Sequence, residues 1–162
     1  MQNQLFSFLF LISFAFSISA QTQEAQKIDE FESVKCDEYL NRMDNAILNV
    51  TNTPNSKIYI FVYEGRVVSK TKYDSKGEFI GYDYVYPPFG LAKAKIRSMK
   101  EYLKMRKIPQ ENYIFVEAGF LENFKVEFWN VPKGASPPIP SPTLKKMKYR
   151  KGKPTGFCTG CC

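Results

Sequence analysis

Hydrophobic residues follow the spacing of an α-helix in two stretches of the chain. In the first stretch the apolar positions lie three or four residues apart, at Leu40, Met43, Ile47 and Val50. This spacing predicts a helix over residues 36–52, which Thr53-Pro54 ends. The second stretch follows Pro87-Pro88 and has apolar positions at Ala92, Ile96, Met99 and Leu103. Both patterns are typical of amphipathic helices that bury one face.

Four further segments have the composition of β-strands. Residues 57–65 (KIYIFVYEG) are apolar almost throughout, which predicts a central strand covered on both faces. Residues 66–86 predict two strands around a turn at 74–77. Residues 112–118 and 124–131 predict an antiparallel hairpin that closes the domain. The pattern as a whole predicts an α+β fold, a two-layer α/β sandwich.

The two ends of the chain differ from this central domain. Residues 5–20 are an apolar run that ends in small residues, and the run is shorter than the roughly twenty residues that span a bilayer. We interpret residues 1–20 as a signal peptide cleaved near Ala20, which predicts a periplasmic or secreted protein without a transmembrane segment after cleavage. Residues 21–131 then form a single domain. The proline-rich, basic residues 132–162 are predicted to be a disordered tail.

Positive charge is concentrated in that tail. The chain has a net charge of +7, and residues 132–162 contain seven basic side chains and no acidic one. The domain before the tail is therefore neutral overall, so the high isoelectric point does not indicate a nucleic-acid-binding face. Nucleic acid is not an expected partner. The run LKKMKYRKGK could contact anionic lipid or an anionic envelope polymer, or could remain solvated.

Two segments in the second half of the domain resemble a known family. Residues 92–120, AKAKIRSMKEYLKMRKIPQENYIFVEAGF, and the final strand with its proline, FKVEFWNVP, resemble the OmpA-like peptidoglycan-associated domain. The resemblance covers about residues 36–131. It implies an OmpA-like order of helix, strand, helix, strand and strand, with residues 66–86 as a hairpin insertion. It also implies a role in the cell envelope, with peptidoglycan or another anionic polymer as partner.

The ligand motif of that family is only partly present. With the glycines of the turn after the first core strand matched, Val68 stands where the family has an acidic residue. The family's ligand arginine falls on Lys95, which keeps the charge but not the bidentate guanidinium. The candidate ligand-binding residues are basic or tyrosine side chains on the second helix and in the preceding segment: Lys93, Lys95, Arg97, Arg66, Tyr82 and Tyr84. A shared scaffold with an altered site is expected.

Catalytic chemistry has little support in the sequence. The chain contains no histidine, which removes Ser-His and Cys-His nucleophile pairs and the commonest metal ligand. Four carboxylates could approach one another at strand ends: Glu64, Glu78, Asp83 and Glu117. Their spacing is that of ordinary surface residues. We therefore expect an exported binding or structural module and no enzyme.

Four cysteines leave more than one interpretation open. Cys36 begins the first predicted helix, and Cys158, Cys161 and Cys162 form a C-x-x-C-C cluster at the end of the chain. In an oxidising compartment an even number of cysteines favours disulfides. The bond could join Cys36 to the tail, or Cys158 to Cys161. The alternative is a thiol-based redox protein or a site for a soft metal ion such as Cu(I) or Zn²⁺. No other cofactor is expected. The sequence does not indicate an oligomeric state.

Overall fold

The computed structural model describes residues 24–158. Two helices and five strands follow one another along the chain, with a single 3₁₀ turn at Gln110–Asn112. They are β1 (Gln26–Phe31), α1 (Cys36–Thr51), β2 (Lys57–Tyr73), β3 (Phe79–Val85), α2 (Leu91–Met105), β4 (Tyr113–Asn123) and β5 (Lys125–Val131). The fold is α+β, as the hydrophobic pattern predicts, and both helices lie where their periodicity places them.

The five strands form one mixed sheet with β2 at its centre. Along residues 58–63, β4 runs parallel to one edge of β2 and β5 runs antiparallel to the other edge. β1 pairs antiparallel with the outer edge of β5. Beyond this region, residues 67–73 of β2 continue and pair antiparallel with β3. The order in the main part of the sheet is therefore β1-β5-β2-β4, and β3 lies on an extension of the central strand.

The predicted hairpin between the last two strands is wrong. β4 and β5 do not pair with each other, because β2 lies between them. The chain passes from one side of β2 to the other at Gly65, where Phe124 donates its backbone N–H to the carbonyl oxygen of Arg66 at 2.8 Å. A Cβ atom on Gly65 would lie 2.1 Å from the carbonyl carbon of Asn123. Only glycine allows this close approach.

The main core lies between the helices and one face of the sheet. Alternation along β2 directs Ile58, Ile60 and Val62 to this face. Both helices bury one apolar stripe here, mainly through Tyr39, Met43, Ile47, Ile96, Met99 and Leu103. The predicted amphipathic faces and the predicted central strand are thus confirmed.

The opposite face of the sheet carries a second, aromatic cluster. Phe61 and Tyr63 of β2 are buried there and pack with Trp129 of β5. The segment after β5 lies against this face: Ser141 donates its backbone N–H to the hydroxyl of Tyr63 at 3.2 Å, and Leu144 forms a bridge with Phe120. The proline-rich segment thus supplies part of the cover that β2 needs on its second side.

The remainder of the tail returns to the helical face. Arg150 donates its backbone N–H to the carbonyl of Pro87 at 3.0 Å, and Phe157 is 8% exposed within the main core. The prediction of a disordered tail from residue 132 therefore differs from the structure as far as Cys158. Low apolar content suggested disorder, but one buried aromatic side chain and backbone hydrogen bonds attach the segment to the domain.

Two further elements differ from the sequence-based expectation. β1 was not predicted, because QKIDEF is mostly polar and forms an edge strand with few buried side chains. The predicted strand 57–65 and the first strand of the 66–86 segment are one continuous strand, β2. Within residues 24–158, neither helix has the length and hydrophobicity that crossing a bilayer requires.

Replacing Gly65 by alanine tests the crossing of the chain over β2. The new methyl group meets backbone atoms on both sides of the peptide bond that joins Asn123 to Phe124, which cannot move away as a side chain would. We expect Gly65→Ala to lower the free energy of unfolding by about 3 kcal/mol or more, measured by urea denaturation. Gly77→Ala is the control, because its positive φ of 84° costs about 1–2 kcal/mol but its surroundings are open. Equal losses in the two variants would contradict the crossing.

Candidate functional site

The last described residues form a strap, residues 149–158, that closes one side of the helical layer. Phe157 is its anchor: the ring stacks on Tyr39 of α1 with a centroid distance of 4.2 Å and an interplanar angle of 6°. Its backbone N–H donates to the hydroxyl of Ser98 on α2 at 2.9 Å. Cys158 forms a disulfide with Cys36, the first residue of α1, across a sequence separation of 122. The strap is therefore attached to both helices.

Lys95 lies beneath this strap on α2. Its Nζ atom donates to the carbonyl oxygen of Gly156 at 3.0 Å and lies 4.2 Å from the centroid of the Phe157 ring. Burial lowers the pKa of Lys95 to about 8, because the ammonium group loses hydration there. Among residues 24–158 its recorded contacts are one carbonyl oxygen and one aromatic face, so it keeps capacity for an anionic partner.

The Lys95 cleft, as we call the cavity at this position, has a volume of about 290 Å³. Three lining residues are basic (Lys95, Arg150 and Lys153), two carry hydroxyl groups (Ser33 and Thr155) and seven are apolar. The apolar lining comes from Val34, Val67, Val68, Pro88, Leu91, Phe124 and Phe157. Positive charges in an apolar surrounding attract an anion more strongly than they do in water. A carboxylate or phosphate group is the chemistry that fits.

The other clefts are less suited to binding a charged group. A cavity of about 490 Å³ near the end of α1 is lined by apolar, amide and hydroxyl side chains without an ionisable one. A shallow depression of about 600 Å³ is lined by Lys100, Glu101 and Lys104 of α2 and by Lys107, which follows this helix. Those lysines are exposed to solvent, whereas Lys95 is held in place by two contacts.

A buried carboxylate lies at the start of α2. Glu64 is 7% exposed and accepts hydrogen bonds from the backbone N–H of Ala92 at 3.2 Å and from the hydroxyl of Tyr149 at 2.7 Å. Burial and the adjacent Glu64 carboxylate raise the pKa of Tyr149 to about 12. Glu64 caps the helix, because the N-cap residue, Gly90, has no side chain to do so. Both carboxylate oxygens of Glu64 have hydrogen-bond donors, so we interpret its role as structural.

The predicted ligand residues divide into separate places. Lys95 lines the cleft, while Lys93 lines a small cavity beside Glu64 and Arg97 is exposed on α2. Arg66 does not line the cleft; its guanidinium is 5.4 Å from the Tyr84 ring and forms an ion pair with Glu122. Tyr82 contacts Tyr84 at a centroid distance of 6.3 Å. The structure therefore groups Arg66 with the two tyrosines and separates all three from Lys95.

The predicted carboxylate group is brought together only in part. Glu64 and Glu117 line the same cavity of about 200 Å³. Asp83 forms an ion pair with Lys72 on the β2–β3 hairpin, and Glu78 lies at the turn of that hairpin.

The cysteines have one defined pairing in the structure. The bond joins Cys36 to Cys158, one of the alternatives that the sequence leaves open. Cys161 and Cys162 lie outside the described residues. In the range 24–158, no group of three or more His, Cys, Asp or Glu side chains is arranged to hold a metal ion.

Sequence reasoning missed Arg150, Lys153 and Phe157 as partners of Lys95. The tail reads as a solvated basic segment, and nothing in its composition indicates which lysine or arginine returns to the domain. The available signal was local: Phe157 is a large apolar residue next to a cysteine in an otherwise polar segment. Such a pair favours attachment over free motion.

No family model matches the chain, and neither a curated protein nor a solved structure is significantly similar to it.

Removing the disulfide tests the attachment of the strap. We expect Cys36→Ser and Cys158→Ser each to lower the free energy of unfolding by about 2–5 kcal/mol, because the unfolded chain regains the entropy of a long open loop. Urea denaturation without reductant measures the loss. The second substitution should cause no further loss: the double variant should be as stable as the less stable of the two single variants, because the same bond is removed in each case. Additive losses would show that the two cysteines do not pair with each other.

The pH dependence of stability tests the burial of Lys95. Its folded pKa of about 8 lies below the ordinary value of about 10.4. Between these values the unfolded chain binds more protons, so this residue makes the protein more stable as pH rises from about 8 to 10. We expect the free energy of unfolding of wild type relative to Lys95→Met to increase over that window. Tyrosine ionisation is common to both proteins and cancels in the difference; a flat difference would contradict a buried ammonium.

Proposed function

We propose that the chain is an exported cell-envelope module whose Lys95 cleft binds an anionic group of an envelope polymer, with the carboxylates of peptidoglycan as the first candidates. The observation that carries the proposal is the partly buried ammonium of Lys95, with Arg150 and Lys153 lining the same cleft. A partly buried cation that no carboxylate of the described residues pairs with costs stability. Binding of an anion would offset that cost, and it would raise the pKa of Lys95 towards its ordinary value.

The polymer class rests on the resemblance to the OmpA-like domain. The elements from α1 to β5 follow the order of helix, strand, helix, strand and strand that this resemblance implies, with β3 in the place of the hairpin insertion. The two positions aligned with the family's ligand acid and arginine, Val68 and Lys95, line the same cleft. Because valine replaces the acid, the cleft would favour a simple anion over a group that also carries an ammonium.

Export is supported by two features of the chain. Residues 1–20 have the composition of a signal peptide. The Cys36–Cys158 disulfide is compatible with an oxidising compartment, and it connects the strap on which the cleft depends. An envelope location would expose the cleft and the basic tail to polymers that carry many carboxylate or phosphate groups.

Co-sedimentation with purified peptidoglycan sacculi tests the proposal. The mature chain, from about Gln21, should be retained by native sacculi and released by salt. Sacculi whose carboxyl groups have been converted to amides should retain much less protein. Lys95→Met should weaken retention about tenfold, as expected for loss of one charge-assisted hydrogen bond.

Arg97→Gln is the matched control, because Arg97 carries the same charge on the same helix but does not line the cleft. It should bind sacculi as wild type does. Equal binding to native and amidated sacculi, or equal losses in the Lys95 and Arg97 variants, would contradict a specific anion site. No retention of wild type would exclude peptidoglycan as the polymer.

A further inference from the structure

The β2–β3 hairpin forms an arm, residues 67–85, that extends beyond the sheet. In the described part of the chain, β3 pairs with β2 alone. Four aromatic rings of the arm contact one another in sequence. Their centroid distances are 6.4 Å for Tyr73 and Phe79, 5.0 Å for Phe79 and Tyr82, and 6.3 Å for Tyr82 and Tyr84. We call these four residues the aromatic row.

The two faces of the arm differ in chemistry. Thr71 pairs with Tyr82, and both therefore lie on the face of the aromatic row. Lys70 pairs with Asp83, and Asp83 forms an ion pair with Lys72, so these charges lie on the other face. One face is thus charged and well hydrated, while the other presents rings and hydroxyl groups.

The aromatic row is exposed although its rings are held in place. Tyr73, Phe79 and Tyr82 are 61%, 54% and 47% exposed. At the inner end, the Tyr84 hydroxyl donates to Glu32 at 3.2 Å and the Arg66 guanidinium lies over its ring. Mutual edge-to-face and tilted ring contacts restrict the rings, so binding there would lose little side-chain entropy.

We propose that the aromatic row is a binding surface for a linear, uncharged hexopyranose chain. Sugar rings present C–H groups that pack on aromatic faces and hydroxyl groups that bond tyrosine and threonine hydroxyls. From Val68, the partner of Tyr84, to Tyr73 the arm advances about 16 Å at roughly 3.3 Å per residue, the length of a short oligosaccharide. A narrow row on one face of a hairpin matches an extended chain.

The area of the row argues against a second copy of the protein as its occupant. An aromatic side chain buries about 150–250 Å² when fully covered, and these rings are about half exposed, so the row offers roughly 400 Å². A stable protein dimer buries about 800 Å² on each partner. The row alone is therefore too small for a stable dimer but large enough for several sugar rings.

Isothermal titration with chitohexaose and with cellohexaose tests the proposal. Wild type should bind at least one of these uncharged hexasaccharides with a measurable affinity. Phe79→Ala and Tyr82→Ala should each weaken binding about tenfold. Phe89→Ala is the control, because Phe89 is 75% exposed but lies outside the arm, and it should bind as wild type does. Circular dichroism checks that each variant keeps its fold.

None of the four rings of the aromatic row lines the Lys95 cleft, so the two proposals fail separately. Lys95→Met should bind the hexasaccharides normally, and Tyr82→Ala should keep the dependence of sacculus binding on free carboxyl groups. Absence of hexasaccharide binding by wild type, or unchanged affinity in Phe79→Ala and Tyr82→Ala, would overturn the proposal. So would a concentration-dependent dimer that Tyr82→Ala abolishes in sedimentation velocity, because the row would then be a protein interface.

Discussion

The close approach of two backbone segments at Gly65 is the constraint on which the rest of the structure depends. It places β4 and β5 on opposite edges of β2, so the first half of β2 has partners on both edges and side chains packed on both faces. The residues on either side of this glycine then have separate roles. Glu64 caps α2, Val67 and Val68 line the Lys95 cleft, and the strand beyond them continues into the arm.

The charge of Lys95 illustrates a conflict between stability and binding. A lysine that reaches only a carbonyl oxygen and an aromatic ring is less well solvated than in water, and its lowered pKa reflects that deficit. Perturbed ionisable groups in clefts are characteristic of functional sites, although structural groups also show them. Glu64 is the contrasting case, because both of its oxygens have donors and its role is explained by the helix it caps.

The sequence predicted those elements whose hydrophobic pattern is strong. Both helices and the buried part of β2 followed directly from the spacing of apolar residues. The pairing of β4 and β5 could not be predicted in the same way, because Gly65 reads as the end of a strand, whereas in the fold it is a point of backbone contact within one. β1 has too few apolar residues to indicate a strand.

Only the part of the candidate site that lies on α2 could be predicted from the sequence. Lys95 is the position on which the ligand arginine of the resembled family falls, but Arg150 and Lys153 come from a segment whose composition is that of a solvated tail. Their contribution depends on where the chain is attached, and that is decided by Phe157 and by the bond between Cys36 and Cys158. The local sequence around Phe157 indicates that the segment is attached, but it does not indicate which residues of the domain it contacts.

The disulfide between Cys36 and Cys158 also determines when the site comes into existence. Every element except β1 lies between these two cysteines along the chain, so the strap can dock only after α1, the sheet and α2 have been synthesised. A chain that folds as it is synthesised would therefore complete its helices and the rest of its sheet before the strap closes the Lys95 cleft.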